Sequence, residues 1–86
     1  YSALVIKPGK SIKKCLEYVS VKDLKDMQKY VGGYIEQYPR PEFANFVFLV
    51  DEEGLLKRLP RNELAQELYG VRAVGNVLVI SKNNWK

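Results

Sequence analysis

With 86 residues, 47% of them hydrophobic, and a formal charge of +4, the chain has room for one packed core and not for two ordinary domains. The apolar content argues against intrinsic disorder, and the fourteen basic residues are interleaved with ten acidic ones in no long run, so nucleic-acid binding is permitted rather than indicated. No stretch approaches the roughly 20 apolar residues of a membrane span, and Tyr1-Ser2-Ala3-Leu4 lacks the basic region and apolar core of a signal peptide; with the lone Cys15, this predicts an intracellular protein without membrane contact.

Ala3-Leu4-Val5-Ile6 is a short branched apolar run stopped by Pro8-Gly9, which predicts a buried strand ending in a turn. From Ile12 to Val19, Ile12, Leu16 and Tyr18 share one parity against Lys13 and Glu17, predicting a second strand that closes a hairpin, with Lys14 marking an edge. Ser20, with Asp23 three residues on, is the expected N-cap of a helix. Its buried stripe is Val21, Leu24, Met27 and Val31, with Lys22, Lys25 and Lys29 on another face, a Lys22–Asp26 pair, and Gly32-Gly33 as its end.

Tyr34 to Tyr38 alternates as a strand until Pro39-Arg40-Pro41 forbids regular pairing. Phe46-Val47-Phe48-Leu49-Val50 is the strongest strand, and the acidic turn Asp51-Glu52-Glu53-Gly54 leads into Leu55 to Leu59 as its hairpin partner. Asn62 caps a second helix of about two turns, with Leu64, Ala65 and Leu68 on one face and Gly70 as its stop. Gly75-Asn76 precedes the fully apolar Val77-Leu78-Val79-Ile80, a central strand, and residues 81–86 read as a flexible tail unless Trp85 docks. The sum is one α+β domain over residues 1–86 in the order β-β-α-β-β-β-α-β, a mixed sheet covered on one face by the first helix and similar to a β-grasp.

No histidine is present, which removes Ser-His and Cys-His nucleophiles and histidine-bearing zinc sites. Cys15 has no partner cysteine and reads as core packing, Gly32-Gly33 follows a helix where a phosphate loop would precede one, and the acidic run lacks the ligand spacing of a calcium loop. Glu63 and Glu67 read as an exposed helix face. A non-enzyme with no metal or cofactor is therefore expected. Tyr30, Tyr34, Tyr38 and Phe43 crowd near Arg40, a combination found at binding hot spots.

Three stretches, Val31-Gly32-Gly33-Tyr34-Ile35-Glu36, Val50 to Gly54 continuing through Leu59-Pro60-Arg61-Asn62, and Gly75 to Val79, together with the opening Leu4 to Gly9, resemble small domain-of-unknown-function proteins of bacteriophages, mobile elements and some large DNA viruses. The resemblance spans nearly the whole chain, implies a viral or mobile-element accessory protein in the host cytoplasm, and brings no catalytic residue. The leading expectation is a protein-interaction module acting on a host or viral protein through the surface of Tyr34, Tyr38 and Arg40. The alternatives are nucleic-acid binding through Lys57, Arg58 and Arg61, the Lys22, Lys25 and Lys29 ridge of the first helix and the tyrosines as stacking platforms, and capture of a nucleotide-like ligand by backbone donors at the Asn62 and Gly75-Asn76 turns.

Overall fold

Five short runs rich in branched and aromatic residues form one antiparallel sheet in the computed structural model, which describes residues 2–84. In chain order they are β1 (Ser2–Ile6), β2 (Leu16–Ser20), β3 (Ile35–Tyr38), β4 (Phe46–Asp51) and β5 (Val77–Ser81). Three helices join them: α1 (Ile12–Cys15), α2 (Leu24–Val31) and α3 (Glu63–Tyr69). The sheet order is β2-β1-β5-β4-β3, so the last strand lies at the centre, where its unbroken apolar run is buried on both sides.

Strand alternation sorts the core into two halves. Ala3, Val5, Val47, Leu49, Leu78 and Ile80 face α2, which adds Val31, while Val21 fills in from the segment ahead of it. Ile6, Phe48, Val50, Val77 and Val79 point the other way, where Leu64 and Ala65 of α3, together with Val71 and Cys15, close over them. Each valine, leucine, isoleucine or phenylalanine among them contributes about 1.5–3 kcal/mol by leaving water, so the two halves are both needed in a chain this short. Cover on both faces replaces the single covering helix expected from the sequence, and the sheet is the middle of three layers.

The small single α+β domain is the observed class, with several local differences. Every pairing is antiparallel, so the sheet is not mixed. The early hairpin, covering helix and central last strand of a β-grasp are present, but β1 and β5 run antiparallel where a β-grasp sets its first and last strands parallel. Leu55 to Leu59 forms no strand: Lys57 N–H donates to the Glu53 carbonyl (2.9 Å), Arg58 N–H to that of Leu55 and Leu59 N–H to that of Gly54 (both 3.1 Å), winding the segment into successive turns. Ile12 begins a helical turn capped by the Ser11 hydroxyl, so β2 starts only at Leu16.

The cap of α2 is Asp23, whose carboxylate accepts from Asp26 N–H at 3.1 Å, while Ser20 pairs with Ser2 in the sheet. Asp26 accepts from the Lys22 backbone at 2.9 Å, not from its ammonium. The later start turns Leu24 outward, to 56% exposure, and Leu68 also lies at the rim of its helix. Ser81 closes β5 and Lys82–Asn84 form a 3-10 turn, with Lys82 N–H bonded to the Asn45 carbonyl at 2.7 Å; the docking of Trp85 lies outside the described residues.

Candidate functional site

Asp51, the last residue of β4, buries its carboxylate completely and is met there by Lys57, whose Nζ lies 2.8 Å from Oδ2. The same ammonium donates to the Gly32 carbonyl at 3.2 Å, and Glu53 N–H donates to Asp51 Oδ1 at 2.8 Å. Gly32 ends α2 in the left-handed conformation, at φ 100°, as glycine readily does. A Cβ on Gly33 would stand 2.6 Å from Lys57 Nζ and 3.3 Å from Asp51 Oδ2, so the bare glycine makes room for the ion pair. Burial pushes the Asp51 carboxyl up, but the hydrogen bonds from Lys57 and Glu53 N–H and the Lys57 charge outweigh it and hold the group below its ordinary value. The hydrogen bond to Asp51 in turn raises Lys57 against desolvation, with the Asp51 and Glu53 charges adding to it.

This anchor fixes the loop that follows β4. Gly54 lies against Val74, where a Cβ would come within 2.8 Å of the Val74 methyl, and Arg58 takes a left-handed conformation at φ 58°. Between these points Leu55 and Leu56 face solvent at 83% and 80% exposure. Tyr34 is 66% exposed, and its carbonyl accepts from Glu52 N–H at 2.9 Å at the base of the same loop. A groove of about 190 Å³ runs beside β3, lined by Glu36, Tyr38, Val50, Leu55, Arg72 and Val74 among others. The Tyr38 hydroxyl accepts from Arg72 N–H at its edge (3.3 Å).

The other residues singled out in the sequence lie elsewhere or serve packing. Arg40 donates through Nε to the Tyr69 carbonyl at 3.0 Å, occupies the space left by Gly70, and lies 5.8 Å from the Phe43 ring centre, closing the C-terminal end of α3. Arg58 and Arg61 are exposed, but Lys57 is held by Asp51, so the three basic residues make no common free cluster. Asn62 is buried: its Oδ1 caps α3 by accepting from Ala65 N–H, and its Nδ2 donates to the Ile6 and Gly75 carbonyls, both at 2.8 Å. Both amide hydrogens are engaged, and the backbone N–H groups expected to meet a phosphate are also used, that of Asn62 on the Ala73 carbonyl at 2.9 Å and that of Gly75 on the Pro60 carbonyl at 2.7 Å. Asn76 likewise donates to the Tyr30 carbonyl at 2.9 Å.

Cys15 is buried with its thiol 3.6 Å from the Pro8 carbonyl. No grouping of acidic or cysteine side chains suited to a metal occurs among the described residues. Of the predicted site residues, Tyr38 lines the groove with Leu55, while Tyr34 stands ahead of the other end of β3 at the base of the loop; Leu55 and Leu56 are the neighbours that sequence reasoning assigned to a strand. The signal that could have found them is two adjacent leucines directly after an Asp-Glu-Glu-Gly turn, where strand alternation would have put a polar residue at one of the two positions.

The fold and this surface together define a small three-layer α+β domain carrying an apolar loop on an ion-paired base. Residues 1–86 match the family described as Domain of unknown function (DUF3846), and the chain belongs to it. No curated protein and no solved structure matches the chain.

Proposed function

We propose that the domain is a non-enzymatic protein-interaction module whose contact surface is centred on Leu55 and Leu56, flanked by Tyr34 and the groove beside β3. The observation that carries this reading is the pair of adjacent leucines, each at least four-fifths exposed, on a loop fixed by an ion pair whose carboxylate is buried. Single exposed apolar residues are ordinary, whereas a fixed apolar pair beside an exposed tyrosine has the composition of an interface centre. Removing each leucine from water against a partner contributes about 1.5–3 kcal/mol, and the fixed loop lowers the entropy cost of docking. The resemblance to accessory proteins of bacteriophages, mobile elements and large DNA viruses supports a host protein as the partner, met inside the host cytoplasm.

The test is affinity capture from host cells with the wild type and with Leu55→Asp/Leu56→Asp. The wild type is expected to recover one protein in stoichiometric amount, and the variant at least about tenfold less of it at an unchanged urea midpoint, since burying two carboxylates without partners is unfavourable. Equal recovery by the variant contradicts the surface. Turnover of a substrate by the purified wild type contradicts the non-enzymatic reading.

A further inference from the structure

We propose that the outer edge of β2 accepts an extended acidic peptide as a sixth strand of the sheet. The site lies at the opposite edge of the sheet from β3 and does not depend on Leu55 or Leu56. β1 pairs with β2 on one side, from Ser2↔Ser20 to Ile6↔Leu16, and no strand among the described residues occupies the other. Lys7 N–H donates to the Cys15 carbonyl at 2.7 Å. By the alternation of an antiparallel ladder, Val5 with Glu17 and Ala3 with Val19 are then the bonded pairs. The N–H and C=O of Tyr18, the C=O of Leu16 and the N–H of Ser20 therefore point away from the sheet, while Leu16 N–H is taken by the Ile12 carbonyl.

Open edges are ordinarily blunted by a proline, a bulge or an unpaired charge. β2 has an unbroken register and no proline, and its one charge, Glu17, is matched by Lys7 at 3.3 Å. β3, by contrast, runs directly into Pro39 and Pro41. The Tyr18 side chain stands 79% exposed on this edge strand, ready to pack against a side chain of an incoming strand.

Charge selects the occupant. Residues 7–29 hold seven lysines against three carboxylates, whereas the rest of the chain balances seven basic side chains with seven acidic ones, so the formal +4 sits entirely in the span that contains β2. Lys13 and Lys14 stand on α1 just before the strand, and Lys22 and Lys25 follow it, alternating with Asp23 and Asp26, whose carboxylates accept from the backbone N–H groups of Asp26 and Lys22 at the start of α2. All four lysines are exposed and none joins a salt bridge among the described residues. A strand with acidic residues at its two ends meets both lysine pairs while its backbone completes the ladder. The outward carbonyls of Leu16 and Tyr18 need donors; a peptide backbone supplies them, and a phosphodiester backbone offers only acceptors.

The probe is a fluorescein-labelled peptide, acetyl-Glu-Glu-Val-Thr-Val-Thr-Val-Glu-Glu-amide, titrated into the whole chain by anisotropy, with amide exchange followed by NMR. Saturable binding that weakens with salt, and slowed exchange at Tyr18 and Ser20, are expected. Methylating the backbone nitrogen of successive central residues of the peptide removes donors without touching the protein, and the methylated form that loses an edge bond is expected to bind roughly three- to tenfold more weakly. Leu55→Asp/Leu56→Asp is expected to bind the probe as the wild type does. The proposal is overturned if every methylated form binds like the parent, if the slowed amides lie away from β2, or if the Leu55→Asp/Leu56→Asp variant loses the probe. It is equally overturned if a labelled single-stranded oligonucleotide binds these lysines while the peptide fails to bind up to about 1 mM.

Discussion

Asn62 ties three parts of the chain with one amide: the start of α3, the end of β1 and the turn before β5. Asn62→Asp keeps the cap but sets an oxygen against the Ile6 and Gly75 carbonyls in a buried position, and is expected to cost about 2–4 kcal/mol in urea unfolding. A loss below about 1 kcal/mol would assign the residue to capping alone. The capping role is legible in the sequence because Asn62 stands directly before an apolar helical stripe. The other two bonds join it to Ile6 and Gly75, 56 and 13 residues away, and no local pattern encodes such pairings. The same holds for Lys57, which reads as a free cation until the loop brings it back onto Asp51.

That ion pair has a signed pH dependence. The folded pKa of Asp51 is below 3.8, so its contribution is complete above 3.8 and falls away as pH drops through the folded value. The folded pKa of Lys57 is above 10.5, so its contribution is complete below 10.5 and falls away as pH rises through the folded value. Lys57→Met leaves the buried carboxylate with Glu53 N–H alone, and burial then raises it. The variant is expected to be less stable than the wild type at neutral pH, with the gap between urea midpoints starting to close above 3.8, as the variant's raised carboxyl takes up its proton, and closing further as pH falls through the lowered wild-type value. A gap of constant size across that range contradicts the pairing. Gly33→Ala crowds the same ammonium, and is expected to cost less in the Lys57→Met background than in the wild type, a coupling that a double-mutant cycle measures.

At the scale of elements, strand and helix identities were legible where the apolar pattern was long or unbroken, as in β1, β4, β5 and α3. They failed where two patterns competed over a few residues. Ile12, Leu16 and Tyr18 share a parity, but Ser11 caps a single helical turn that takes Ile12 out of the sheet. Ser20 and Asp23 are both sound N-caps, and pairing with Ser2 claims the first for β2. The outcome separates two leucines that the sequence treats alike. Leu24→Ala is expected to change stability by less than about 0.5 kcal/mol, whereas Leu49→Ala, in the half of the core beneath α2, is expected to cost about 2–5 kcal/mol. Comparable losses in urea unfolding would place Leu24 in the core.

For the molecule as a whole, the class of fold followed from apolar periodicity, whereas the proposed interaction surface did not. Leu55 and Leu56 are apolar residues outside the core, and a sequence pattern that equates apolar with buried hides any residue reserved for a partner. The short distance from β4 to the ion pair at Lys57 bends the chain into turns and turns the two leucines outward. Amide hydrogen–deuterium exchange on the complex with the captured partner tests this directly, because docking slows exchange where the two proteins meet. The expected result is slowing at residues 52–58 and 34–38 relative to the free protein; a complex that leaves residues 52–58 exchanging at their free rate would contradict the interaction surface.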